Sequence, residues 1–250
     1  MNARYFQHVV AIAALILVTS SPAANAAASG RIAFVSGGAY VERGAQKMPM
    51  QPDMLVEAGD VLVTENDGRV QWRMADDSYF AIRPSSRFKI DEYTAPVAGS
   101  GGKAFYSLLK GGYRCISGLI GKGDQSAYRV VSPVATMGIR GTDHTHVICQ
   151  ADCTWAPGGN VADGLYTRVD MGKSILSNAQ GSLDVAAGQY ARTSSPPSLL
   201  TAMPSVFANW AVDFAIDTGA AARARCAAGD CVLRIEGPEV PVPGTIPSPN

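Results

Sequence analysis

Asp143, His144 and His146 are the residues of this chain whose types and spacing come closest to a chemical site. On a β-strand, the i, i+2 spacing of the histidines puts both imidazoles on one face, which suits a metal ion or a proton relay. Asp143 and Cys149 fall on the opposite face of a regular strand, so a third ligand would have to come from elsewhere. Two imidazoles do not make a metal site, and neither metal nor other cofactor is expected. The plainer reading is that His144 packs as a ring and His146 shares a half-exposed face. The three residues are kept as candidate binding residues. In an alternative reading they are the working set of a metal-dependent or hydrolytic enzyme.

Arg140 stands just before them, in the run V-V-S-P-V-A-T-M-G-I-R-G-T-D-H-T-H from Val130 to His146. The apolar stretch Val134 to Ile139 leads straight into this arginine, with Gly138 and Gly141 close on either side. A charge so embedded needs a partner. Two roles are open to it. It grips an anionic ligand or a partner carboxylate, or it forms a buried ion pair that fixes the fold in register. The second is preferred, with Asp60 and Asp91 as candidate acids and Gly59, Gly138 and Gly141 as accompanying structural positions. Arg140→Met is then expected to impair folding strongly.

Other chemistry is sought with less result. No G-x-S-x-G hydrolase motif is present, and no glycine-rich phosphate loop lies between a strand and a helix. Asp76-Asp77 and Asp91-Glu92 are adjacent on strands and point to opposite faces, so neither pair shares a substrate. No catalytic residue is assigned.

The elements that must position these residues read as β structure. From Gly30 to Thr193, short alternating runs are separated by glycine and aspartate turns, and helical periodicity is absent. Val70, Trp72 and Met74 alternate with polar neighbours, as do Phe80 and Ile82, then Phe88 and Ile90. Asn66-Asp67-Gly68 reads as a hairpin turn with Gly68 at positive φ. Gly99 to Gly102 reads as a flexible divide between two halves. A faint repeat links those halves: Val56-Glu57-Ala58-Gly59 recurs as Val185-Ala186-Ala187-Gly188, with Thr64 and Thr193 at the same later offset. Gly38, Ala45 and Gln46 likewise match Gly172, Ala179 and Gln180. The expected fold is mainly β, a two-layer antiparallel β-sandwich or short β-roll of two similar halves.

After Thr193 the pattern changes. Ser194-Ser195-Pro196-Pro197 is a linker, and Met203, Val206, Phe207, Trp210 and Phe214 then recur at helical spacing. One amphipathic helix is predicted over Ser205 to Asp217, with Pro204 at its first turn and Gly219 as its stop. Packing of that helix on the β domain is preferred to docking on a partner or a membrane surface, because its other face carries acids and no lysine. The helical extension with its cysteine pair spans 194–235, and the Pro-rich 236–250 reads as a disordered tail.

At the other end, Arg4, the apolar run Val9 to Val18 and the small-residue site Ala24-Asn25-Ala26 read as a secretory signal peptide over 1–26. Export to the periplasm or the extracellular space is expected, with no transmembrane segment in the mature chain. The chain has 21 Lys and Arg against 21 Asp and Glu. No basic surplus or basic run exists to meet phosphates, so nucleic acid is not an expected partner. In an oxidising compartment the five cysteines read as disulfide candidates. Local pairs Cys149–Cys153 and Cys226–Cys231 are the simplest connectivity, crossed pairs being the alternative. Four extended residues span about 13 Å, so a local bridge requires a tight turn. Cys115 reads as a small buried core residue.

Taken together, the Arg-Gly-Thr of Arg140 to Thr142, Gly59 to Thr64, Asn66 to Val70, Ser78 to Arg83 and Pro84 to Arg87 resemble the FecR-like domain, a bacterial periplasmic module. Gly164 to Asp170, Gly172 to Ser177 and Asp184 to Gln189 resemble its closing strands, so the resemblance runs over roughly 30–193. His144 stands where the family has an aromatic, and Asp77 replaces a glycine. The signalling regulators of that family read the state of an outer-membrane receptor, and they carry an anti-sigma segment and a membrane span that are not recognised in this sequence. The resemblance implies a non-catalytic binding module for an envelope protein or other envelope ligand. A further alternative is a structural envelope component that self-associates through the Trp210 helix.

Overall fold

Apolar residues at every second position give each segment one face to bury. The computed structural model describes residues 28–97, 101–155 and 159–207. In it those segments form β1 (Gly30–Ser36), β2 (Ala39–Arg43), β3 (Gln46–Pro49), β4 (Leu55–Val56), β5 (Val61–Thr64), β6 (Arg69–Met74), β7 (Tyr79–Ile82), β8 (Arg87–Thr94), β9 (Lys103–Lys110) and β10 (Gly112–Ile116). A single helical turn, α1 (Leu119–Lys122), precedes β11 (Tyr128–Val131) and the long β12 (Thr136–Cys149). Then follow β13 (Thr154–Trp155), β14 (Gly159–Asn160), β15 (Gly164–Asn178), β16 (Gly181–Ala186), β17 (Tyr190–Thr193) and β18 (Ser198–Leu200).

The expected alternation holds. Val70, Trp72, Met74, Phe80, Ile82, Phe88 and Ile90 are all buried in one core. Their outward neighbours Arg73, Arg87 and Lys89 pair with Asp77, Glu42 and Asp91 on the surface. Aromatic rings from successive strands meet inside. Trp72 stacks on Phe80 at 4.6 Å, Phe80 meets Phe88 at 5.6 Å, and Phe88 meets Tyr113 of β10 at 5.0 Å and Tyr106 of β9 at 5.4 Å. Tyr106 in turn meets Tyr128 of β11 at 5.7 Å.

The fold is mainly β, but all its described strands except the separate β13–β14 pair are joined in one curled 16-stranded sheet, a half-barrel. Its main path runs β3-β2-β5-β8-β9-β11-β12-β10-β7-β6-β1-β4, and β15 adds to β12. β3 and β4 lie at opposite ends of that path, yet only residues 50–54 separate them in sequence. Met50 N–H bonds Ala39 at 3.0 Å, and Asp53 N–H bonds Ile32 at 2.8 Å, so this short bridge draws the two ends together. Pairing is antiparallel except between β9 and β11, which run parallel because β10 and α1 intervene.

The supposed divide at Gly99 to Gly102 separates no halves, since the flanking β8 and β9 pair directly, Thr94 opposite Lys103. The repeat survives locally. Gly59 and Gly188 both take positive φ, 96° and 78°, after buried Val56 and Val185, and each turn leads to a strand ending in buried Thr64 or Thr193. Its pairing differs: β3 and β5 flank β2 on opposite sides, whereas β16 and β17 follow one another along a single edge of β15. Asn66-Asp67-Gly68 is a corner and not a hairpin, for β5 pairs with β2 and β8 while β6 pairs with β1 and β7. Gly68 is required there by close approach, a Cβ at that position falling 2.1 Å from the Gly38 carbonyl oxygen.

Past β18, Ser205–Phe207 form a 3-10 turn whose Val206 and Phe207 bury against Val147, Tyr166 and Ala81 on the outer face of the sheet. The predicted helix begins at this point. Its remaining residues, with Trp210, Phe214 and Gly219, lie outside the described residues, as do the signal peptide, Cys226, Cys231 and the 236–250 tail. Among the described residues no helix is long and apolar enough to cross a membrane.

Because Phe88 touches Trp72, Phe80, Tyr106 and Tyr113, Phe88→Ala is expected to lower the unfolding free energy by about 3–5 kcal/mol. Lys89→Ala on the outer face should stay within about 0.5 kcal/mol. Urea titration of both variants measures this; equal effects would show that the rings do not hold the curl.

Candidate functional site

β12 carries the histidines between β10 and β15, with Cys115 opposite His144, and Tyr113 opposite His146. Both imidazoles point into the core and are fully buried, at 0% exposure, so His146 is not on the half-exposed face expected of it. The rings lie 4.9 Å apart, and Tyr113 meets them at 5.7 Å and 5.5 Å. His144 Nδ1 shares a 2.7 Å hydrogen bond with the Thr142 hydroxyl, and His146 Nδ1 shares one of 2.9 Å with Thr167. Tyr113 Oη lies 3.4 Å from His144 Nε2. His144 thus packs as the aromatic it replaces. Burial pushes its pKa down to about 4, an effect that Asp143 partly opposes. Burial, and then the neighbouring His144, push His146 well below the usual imidazole value. Both are neutral at pH 7.

Cys115 is buried beside them, 3.8 Å from the Tyr128 hydroxyl, and burial pushes its thiol well up. It is a core residue with no thiolate to offer at neutral pH. Among the described residues no group of three or more His, Cys, Asp and Glu comes together that could hold a metal ion.

Asp143 points the other way, as its odd position requires, and its carboxylate is taken by Arg114 of β10. Arg114 Nε and Nη2 donate to Oδ1 and Oδ2 at 2.9 and 2.6 Å. The buried ion pair sought at this motif is therefore Arg114–Asp143, not one made by Arg140. Arg140 is exposed on the outer face, opposite Lys173 of β15. Its neighbours Met137 and Ile139 supply the apolar character of the run and point inward. Gly138 buries nothing, and no atom lies within 4 Å of a Cβ built on it. Gly141, at φ 53°, shifts the register by one residue between Arg140 and Asp143.

The two acids proposed for Arg140 have other partners. Asp60 is fully buried, and its carboxylate receives Arg43 Nε and Nη2, both at 2.7 Å, together with Glu57 N–H at 2.9 Å. Arg43, not Arg140, is the arginine of Asp60, and hydrogen bonding to Asp60 is the first cause holding the Arg43 guanidinium above its usual pKa. Gly59 supplies the turn that presents this carboxylate. Asp91 lies on the surface with Lys89 at 2.9 Å and the Ser107 hydroxyl at 2.6 Å.

A further buried carboxylate escaped the sequence reading. Asp76 accepts from Ser78 Oγ at 2.9 Å, Tyr93 Oη at 3.2 Å and Ile120 N–H at 3.2 Å, fastening the β6–β7 turn to α1. Asp77 beside it sits at φ 65°, the conformation for which the related glycine is suited. The signal was present in the dissimilar neighbours: an acid followed by a turn residue and a serine is a self-bonding turn.

Cys149 and Cys153 form a disulfide with Cα atoms 5.2 Å apart. The tight turn it needs is built by Ala151 at φ 60° and by Asp152, whose carboxylate accepts Gln150 N–H at 3.0 Å.

Two outcomes follow. Unfolded histidine titrates near 6.5, whereas His144 stays neutral in the fold down to about 4. Between these values only the unfolded chain takes the proton, so stability is full above pH 6.5 and falls as pH drops toward 4. His144→Phe should reduce the loss of unfolding free energy between pH 7 and 4.5 by about 2.5 kcal/mol, measured by urea titration at both values. An undiminished loss would mean that the imidazole is not held neutral. Separately, Arg140→Met should melt like the parent, whereas Arg43→Met strands the buried Asp60 and should cost about 3 kcal/mol. Thermal melts of the two variants read this directly, and the reverse order would restore Arg140 as the structural cation.

Residues 60–154 match the family model described as FecR protein. The match begins at the buried Asp60 and takes in the rings from Trp72 to His146. Among solved structures, the chain is similar at a TM-score of 0.40 and 10% identity to a candidate anti-sigma factor from Parabacteroides distasonis. The likeness covers 60% of this chain and spans 63% of that protein's length. No curated protein matches the sequence. The FecR resemblance read from the sequence is thus matched by a family model over residues 60–154, from the residue before β5 to the first residue of β13.

Proposed function

We propose that the chain is a non-catalytic binding module exported to the periplasm or beyond, which engages a protein or other envelope ligand in envelope sensing or signalling. The observation that carries this reading is the FecR match over residues 60–154, since the regulators of that family work by protein contact. Burial of the candidate catalytic set supports it. His144 and His146 lie in the core, while the Asp143 carboxylate lies on the opposite face and is held by Arg114. A substrate reaching one would not reach the other, which weighs against the metal-dependent or hydrolytic alternative. The Cys149–Cys153 disulfide is in keeping with an oxidising compartment, as is the leader-like pattern of residues 1–26.

The test is in-cell cross-linking of the full chain in its own envelope, together with metal analysis of the purified protein. A discrete protein adduct that disappears in the destabilised Phe88→Ala variant, with no stoichiometric metal, is the expected result. No adduct, combined with a stoichiometric metal that His146→Gln releases, would overturn it in favour of the enzyme.

A further inference from the structure

The outer face of β11, β12 and β15 carries a concentration of positive charge that the composition of the chain does not explain. Lysine and arginine balance the acids overall, 21 against 21. Yet Arg140 and Lys173 stand directly opposite one another on adjacent strands, an arrangement that costs stability in a sheet. Arg129 projects from the exposed side of β11 with its guanidinium 4.0 Å from the centre of the Phe105 ring. Lys173 has a partner, Asp184 at 2.8 Å. Among the described residues, no carboxylate lies within ion-pair distance of Arg129 or Arg140.

The floor between these cations is open. Val130 pairs with Met137, and the same register carried on by one residue brings Arg129 opposite Gly138. Gly138 has no side chain, and nothing lies within 4 Å of the space one would fill. Arg129 and Arg140 are thereby diagonal neighbours across a bare strip of backbone, with Cα atoms about 7–8 Å apart. Alternate side chains of an extended peptide repeat every ~6.7 Å. A phosphate would call for converging backbone N–H groups, which a sheet face does not offer. Cations spaced along a flat strip suit instead a row of carboxylates on one side of an extended chain.

We infer that this face, centred on Gly138 and Arg140, is a docking surface for an extended acidic segment of a protein partner, with carboxylates at alternating positions. The inference rests on the proposed protein-binding role and gives it a location. Arg140 and Arg129 take one carboxylate each, Lys173 adds long-range attraction, and the bare backbone at Gly138 lets the segment lie close.

Fluorescence polarisation of the full chain tests this, with a labelled peptide alternating Asp and Thr as the probe, at 50 and 300 mM salt. Binding that weakens with salt, falls about tenfold in the double variant Arg129→Glu, Arg140→Glu, and is retained in Lys47→Glu on the remote strand β3 is the expected result. The double variant should melt like the parent, since neither cation is buried. A peptide with the same acids in one block should bind more weakly. No binding, equal loss in Lys47→Glu, or equal binding of both peptides would overturn the inference, as would tighter binding to phosphatidylglycerol vesicles than to the alternating peptide. Repeating the cross-linking with the double variant separates the two proposals: an adduct that persists defeats the location and leaves the protein-binding role standing.

Discussion

The structure depends on a column of rings. Seven consecutive strands, β6 to β12, each send at least one ring inward: Trp72, Phe80, Phe88, Tyr106, Tyr113, Tyr128, and the pair His144 and His146. A flat sheet would leave that side in water. Curling the sheet so that the rings meet at 4.6–6.3 Å removes all of them from solvent. Each fully buried ring contributes on the order of 2 kcal/mol or more through area alone. The chemistry of the interior follows from the same dryness. Imidazoles, phenols and the Cys115 thiol are all driven toward their neutral forms, so the groups that look reactive in sequence are the ones least able to react.

Charge is consequently sorted to the outer face or into pairs at its margin. Asp60 with Arg43 and Asp143 with Arg114 are the ion pairs in which a carboxylate is largely buried, and in both the guanidinium meets the carboxylate with two nitrogens. This geometry supplies enough hydrogen bonds to compensate for much of the desolvation. Asp76 shows the other solution, a buried carboxylate held by hydroxyl and amide donors alone. Asp60 and Asp76 each sit where a turn must be fixed to a neighbouring element, and Arg114–Asp143 ties β10 to β12 beside the bulge, so their role is registry.

The sequence was most informative where the rule concerned faces, His146 and Arg140 excepted, and least informative where it concerned neighbours. Period-two alternation correctly buried Trp72, Phe80 and Phe88 and put Asp143 opposite the histidines, whereas Asp60 entered only as a candidate partner of Arg140 and pairs with Arg43 instead. Alternation also held the correction for Arg140, which is even-numbered beside inward Ile139, but the apolar run drew attention to hydrophobicity instead of phase. The partner of Asp60 was beyond reach. Arg43 is 17 residues away, and β2 meets β5 only because the sheet order departs from chain order. The internal repeat holds only at its turns for the same reason: similar turns at Gly59 and Gly188 feed strands that pair in different patterns.

The bulge at Gly141 explains why a binding face and a rigid core share one strand. Before it, β12 alternates, with Met137 and Ile139 buried and Gly138 and Arg140 facing outward. After it, Thr142 to Cys149 are buried on both faces, because Val147 and Cys149 lie beneath Val206, Phe207 and Tyr166. The matching glycine on β15, Gly172 at φ 73°, is forced by contact, since a Cβ there would fall 2.0 Å from the Gly141 carbonyl oxygen. The two glycines therefore act as one joint, beyond which the outer face changes from bare to covered. Arg140 and Lys173 lie on the bare side and the Arg114–Asp143 pair on the covered side. Cations held on a stiff sheet just outside such a joint keep their spacing without being packed. That is the physical requirement for recognising a row of charges at low entropic cost.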